Sequence, residues 1–162
     1  MPEHNIPPEY GPLSRILILG SFPSVRSREE GFFYAHPQNR FWRVLAAVTG
    51  RDVPVSVDEK KELLSQSRIA LWDVTASCAI EGSSDSSIRD AVPNDIGRIL
   101  READIKAVFT NGKKAHELYG KFILPLTGRE DICLPSTSAA NASCSMEKLL
   151  SEWGVIGKYL KE

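Results

Sequence analysis

Apolar residues along this chain fall into short, separated runs with two different periods. Four consecutive apolar residues, Ile16 to Leu19, precede Gly20 and read as a buried strand beginning near Arg15. Ile69–Val74, Ile105–Thr110 and Ile132–Leu134 have the same character and predict three more strands. Between them the apolar spacing lengthens to that of helices. Phe41, Trp42, Val44, Leu45 and Val48 share one face up to Gly50, with Asn39 placed to cap the helix. Asp58–Gln66 turns Leu63 and Leu64 inward, and Asn94–Ala103 carries Ile96, Ile99 and Leu100 behind a cap candidate, Asn94. Gly112–Tyr119 is a short helix, and Met146, Leu149, Leu150, Trp153 and Ile156 form the buried stripe of a last one. Strands alternating with helices predict an α/β, three-layer fold with a central, mostly parallel four-stranded sheet flanked by helices.

That architecture locates the chemistry. Ligands of such sheets sit beyond the carboxyl ends of strands, where strand order reverses. Gly20 to Ser24 follows the first strand, Asp73 ends the second, Asn111 ends the third, and Pro135 to Ser143 follows the fourth. The first of these connections runs on through Phe32, Phe33, Tyr34, His36, Asn39 and Arg40, a density of aromatic and polar groups that a mere connector rarely holds.

Composition narrows the field. One hydrophobic core fits 162 residues, so a single domain spanning residues 1–162 is expected, with the proline-rich residues 1–12 as an extended arm. A formal net charge of -1 argues against a general nucleic-acid coat protein but leaves room for a small basic face. Cys78, Cys133 and Cys144 are far apart and lack metal-ligand spacing, so they read as buried thiols in a reducing compartment. No apolar stretch approaches the roughly 18 residues of a membrane span. A cytoplasmic, nucleoid-associated protein is expected, or a nuclear one in a eukaryote. The Ser-rich patch Gly82–Ser87 reads as a loop. The motif GSFPS has a single glycine, no phosphate-binding lysine motif occurs, and no G-x-S-x-G elbow is present, so a nucleotide cofactor and a serine triad are both unsupported.

GSFPS after strand one, YAHPQNRFW after it, and LPSTSAANAS after the last strand together resemble the signature segments of the uracil-DNA glycosylase superfamily. The run AHPQNRFW is similar to one in the mismatch-specific branch, while the whole pattern most resembles the deoxyinosine (hypoxanthine) branch. The resemblance implies a DNA-repair enzyme that flips out a deaminated base and hydrolyses its N-glycosidic bond, with no metal or organic cofactor. It implies a monomer whose partner is double- or single-stranded DNA. Two departures matter. Many members carry a water-activating Asp or Asn two residues after the first glycine, where this chain has Phe22, and a His or Asn opens the last motif where it has Leu134. The resemblance therefore implies that Asn39 serves as the catalytic amide, holding water through its carbonyl.

Further roles follow from the same resemblance. Gly20, Phe22, Phe33, His36 and Asp73 would bind the base, with Phe22 or one of Phe32 to Tyr34 as the stacking face. Ser24, Ser136 and Ser138 would grip the phosphates, and Ala139, Ala140 and Asn141 belong to the loop that enters the minor groove in relatives. Arg26, Arg28, Arg40, Arg43, Lys113 and Lys114 would form a basic rim. Each has a plainer alternative: Asn39 as a helix cap, Asp73 as a turn partner, His36 as a packed side chain, the serines as turn caps, and the basic residues as solvated surface. Trp42 and Trp153 belong to the core. A uracil or mismatch-specific glycosylase of the same fold is the rival enzyme, and a non-catalytic binding module for modified bases or nucleotides is the rival from another class.

Overall fold

The computed structural model describes residues 2–161. In chain order the elements are β1 (Ile16–Gly20), α1 (Val25–Glu30), α2 (Phe41–Thr49), α3 (Val57–Ser67), β2 (Ile69–Asp73), β3 (Thr75–Ala79), β4 (Arg89–Pro93), α4 (Ile96–Glu102), β5 (Ala107–Asn111), α5 (Lys113–Phe122), α6 (Leu124–Thr127), β6 (Asp131–Leu134), α7 (Met146–Trp153) and α8 (Ile156–Leu160). The four anticipated strands form one parallel sheet in the order β2-β1-β5-β6. Every residue of β1, β2 and β5 is buried, which is why these strands read as unbroken apolar runs. From β1 the chain moves one way to β2 and then the other way to β5 and β6. Right-handed crossovers then put α2 and α3 on one face and α4 and α5 on the other. The sheet is flanked by helices as expected. Among the described residues no helix is long and apolar enough to cross a membrane.

Helix ends follow local chemistry. Ser56 accepts from the Glu59 N–H, and the Glu59 carboxylate returns to the Ser56 N–H, closing a capping box at the start of α3. Gly50 ends α2 in the left-handed region at φ 72, where a side chain would be strained.

Several boundaries differ from the sequence reading. Asn94 does not cap α4: Asp95 holds that position, and the Asn94 amide donates to the Asp73 and Thr75 carbonyls instead. The strand expected from Ile105 begins at Ala107. The expected last helix is two, α7 and α8, broken at Gly154, the residue there with the lowest helix propensity. α1 lies inside the aromatic connection, capped by Ser24 at one end and by left-handed Gly31 at the other. The antiparallel pair β3–β4 was also unforeseen, and its connection, including the Ser-rich patch, holds a 3-10 turn at Asp85–Ser87. Cys78 and Cys144 are buried, but Cys133 is exposed because β6 is the sheet's edge strand.

The arm is extended but is tied to the sheet. Glu9 exchanges both backbone hydrogen bonds with Leu71, the His4 N–H donates to the Ala76 carbonyl, and the Trp72 indole donates to the Ile6 carbonyl. Ile6 is buried in the core. Met1 lies outside the described residues.

Candidate active site

A cavity of about 510 Å³ opens at the carboxyl ends of the parallel strands, within the range of small-molecule sites. It gathers Gly20, Phe22, Ser24, Phe33, His36, Asn39, Asp73, Ser136, Ser138, Ala139 and Ala140, residues from four separated segments. Asn141 does not line it. Its amide folds back to donate to the Ser136 carbonyl across its own loop.

Aromatic rings build the walls. Phe22 is buried, with the Arg28 guanidinium 5.3 Å from its ring centre. Phe33 is buried too, and Phe32 stacks on Trp42 in the core. Trp42 and Trp153 are core residues with a second task, since their indoles donate to the Phe33 and Pro135 carbonyls and so pin the two loops that face each other across the cavity. Tyr34 sits at φ 52, an uncommon conformation for a bulky residue, with its ring stacked on Phe41 at 4.0 Å. Its buried hydroxyl has no hydrogen-bond partner among the described residues. Burial, reinforced by the nearby charge of Asp73, pushes its pKa up and keeps the phenol protonated.

Asn39 is fixed by a network. Its Oδ1 accepts from the Phe41 N–H at 2.9 Å and from the Thr137 hydroxyl at 2.9 Å, and Thr137 is locked to Asn111 through two further hydrogen bonds. Because the Phe41 backbone N–H can only donate, the amide orientation is determined: the carbonyl faces inward and the Nδ2 hydrogens remain for the cavity. Arg40 occupies the formal cap position, so Asn39 serves the helix from one residue upstream. The carbonyl assigned to water by the sequence reading is already taken.

Arg40 is not part of a rim. Its guanidinium donates to the carbonyls of Ser138, Asn141 and Cys144, holding the loop after β6 from within. Arg26 is paired with Glu30 on the surface of α1. Ser24 caps α1 by accepting from the Ser27 N–H, while Ser136 and Ser138 accept from the N–H groups of Ser138 and Ala140. Ser136 and Ser138 keep their hydroxyl protons for another acceptor, whereas Ser24 gives its own to Ser27. His36 is exposed at the cavity mouth, its Nδ1 accepting from the Gln38 N–H, so it is not a packed core histidine.

Two residues were missed from sequence. Asp85, in the Ser-rich patch, lines the cavity and accepts from the Ser21 hydroxyl at 2.6 Å. Burial raises its pKa, Ser21 lowers it in part, and Asp73 raises it further. His4, on the arm, meets Asp73 at 2.8 Å with both side chains buried. Gly20 must be bare: a Cβ there would stand 2.3 Å from Asp73 Oδ1 and 2.9 Å from the Tyr34 hydroxyl.

Residues 7–154 match the model of the Uracil DNA glycosylase superfamily. A hypoxanthine DNA glycosylase of Methanosarcina barkeri is 35% identical over 156 residues, covering 94% of this chain and 96% of the relative. One of Methanosarcina acetivorans is 36% identical over 148 residues, covering 90% and 92%. A solution NMR structure of a candidate uracil DNA glycosylase from M. acetivorans superposes with a TM-score of 0.84 at 33% identity, covering 99% of each chain. Matched over nearly its whole length in sequence and in fold, this chain belongs to the uracil DNA glycosylase superfamily.

Proposed function

We propose that this protein excises hypoxanthine from deoxyinosine in DNA by hydrolysing the N-glycosidic bond, acting as a monomer wherever the genome is held. The observation that carries the reading is the fixed polarity of the cavity, which is lined by an Asn39 amide that offers only donors and by an Asp73 carboxylate that offers only acceptors. A nucleotide extruded from single- or double-stranded DNA stacks its base on Phe22 or Tyr34. Asp73 Oδ1 accepts from the base N1–H. As the glycosidic bond breaks, negative charge develops on the leaving base, and the Asn39 Nδ2 hydrogens stabilise it without reorganising. Water then meets an oxocarbenium-like sugar, which needs positioning more than a strong base. The names of the two Methanosarcina relatives support hypoxanthine as the base. Among the described residues no lysine lines the cavity, which supports hydrolysis without a Schiff base.

The test separates the amide's two halves. Asn39→Asp keeps acceptors for the Phe41 N–H and Thr137 hydroxyl but removes the donors, so its stability should stay within about 0.5 kcal/mol of wild type, whereas Asn39→Ala should lose roughly 0.5–2 kcal/mol. Single-turnover excision from deoxyinosine duplexes, read by alkaline strand cleavage, should fall on the order of 10²-fold or more for Ala. Asp should fall at least as far, because it places charge beside a departing anion. Folded Asn39→Asp with near-normal excision would remove Asn39 from the chemistry. Strong uracil release with none from deoxyinosine would instead select the rival substrate.

A further inference from the structure

The N-terminal arm delivers a side chain to the site from 69 residues away in sequence. His4 Nδ1 accepts from the Ile6 N–H at 3.2 Å, so that nitrogen carries no proton. The proton is therefore on Nε2, which points at Asp73 Oδ2 at 2.8 Å. The imidazole is held edge-on against Phe22 and Trp72, with Phe33 tilted against it. Among the described residues the other carboxylate oxygen, Oδ1, has no hydrogen-bond partner, and it lies against bare Gly20 on the cavity wall.

We infer that His4 is a positioning residue that orients the Asp73 carboxylate, holding Oδ2 toward the arm and Oδ1 toward the cavity, so that the cavity admits a base bearing N–H at the position read by Oδ1 and rejects adenine. This rests on the reading above, in which Asp73 faces the base edge. Either oxygen of a carboxylate offers only lone pairs, and the His4 Nε2–H on Oδ2 decides that Oδ1 is the acceptor presented to the cavity. A 6-oxopurine presents N–H at N1 and satisfies it; adenine presents a lone pair at N1 and is repelled by it.

The same geometry makes an unusual prediction for Asp73→Asn. His4 still demands an acceptor, so the amide carbonyl turns to His4 and the NH₂ turns to the cavity, placing donor against donor for hypoxanthine. Removing the His4 donor frees the amide to flip and restores an acceptor. The experiment measures single-turnover excision of deoxyinosine by wild type, His4→Ala, Asp73→Asn and the double variant, with melting curves to confirm folding. Asp73→Asn should lose on the order of 10²-fold, and the double variant should recover about tenfold over Asp73→Asn. A merely structural role for His4 predicts the opposite, a double variant worse than either single one. His4→Phe keeps a packed ring without the donor and gives the same expected recovery if alanine loosens the arm. An active wild type whose folded double variants do no better than Asp73→Asn overturns the inference alone, whereas a wild type inactive on deoxyinosine overturns the functional reading and the inference with it.

Discussion

Asp85 brings a second carboxyl to the cavity that Asp73 lines, and the Asp73 charge disfavours that of Asp85. With its carboxyl held above the ordinary value, chiefly by burial, protonation of Asp85 favours the folded state. Its contribution to stability is present in full below the ordinary carboxylate range and is lost as pH rises through the raised value. Asp85→Asn carries no charge at any pH and still offers an oxygen to the Ser21 hydroxyl. It should melt above wild type by up to about 3 °C near pH 8, and the difference should shrink toward zero near about pH 3. A difference that does not change with pH would show that Asp85 is solvated rather than penalised by burial. Neither Asp85 nor His4 announces itself in the sequence. One sits among serines and the other among prolines, and only long-range contacts give them a task.

At the scale of elements, the loop between β6 and α7 depends on a side chain it does not own. Arg40 satisfies the Ser138, Asn141 and Cys144 carbonyls, and its own N–H donates to the Thr137 carbonyl. Those carbonyls belong to the same loop that carries Ser136, Ser138 and Ala140 at the cavity wall. Arg40→Ala should destabilise the protein by about 2–4 kcal/mol, since several charge-assisted hydrogen bonds vanish together and partly buried acceptors lose their partner. Limited proteolysis should then cut within residues 135–145 before it cuts elsewhere. Arg40→Ala that melts as wild type and resists cleavage there would show the loop to be held by Trp153 and the Asn141 clamp alone. Sequence placed Arg40 in a signature run but not on this task, because an arginine facing three carbonyls and an arginine facing phosphate look identical in one dimension.

For the whole molecule, the net charge of -1 and the fate of the basic residues set how DNA is held. Arg40 is spent inside a loop, Arg26 is paired, and Arg28 lies against Phe22 while donating to the Gly82 carbonyl. Arg43 on the first turn of α2 and Lys113 and Lys114 on the first turn of α5 form no ion pair among the described residues. If these three of the six anticipated rim residues meet the DNA, they release counterions from about three phosphates, so log affinity against log salt should have a slope of about -3 or shallower. A steeper slope, measured by fluorescence anisotropy on a labelled duplex, would reveal a larger basic footprint.

By itself the sequence determined the parallel sheet, the helices that carry its apolar stripes, and the strand ends where the cavity opens. Strands buried on both faces and helices buried on one leave a periodic signal that needs no knowledge of their partners. It also located Gly20, Phe22, Asn39 and the serine loop, because signature segments are local in the chain, and Asp73, because it ends a buried strand. The β3–β4 pair escaped because β3 is made of small residues and β4 is largely exposed, so neither leaves a clear alternation. The polarity of the site was decided only by tertiary structure. Which half of the Asn39 amide faces the cavity depends on Phe41 and Thr137, and which oxygen of Asp73 is free depends on His4. Hydrogen-bond direction is a property of pairs, and the members of these pairs meet only when the chain is folded.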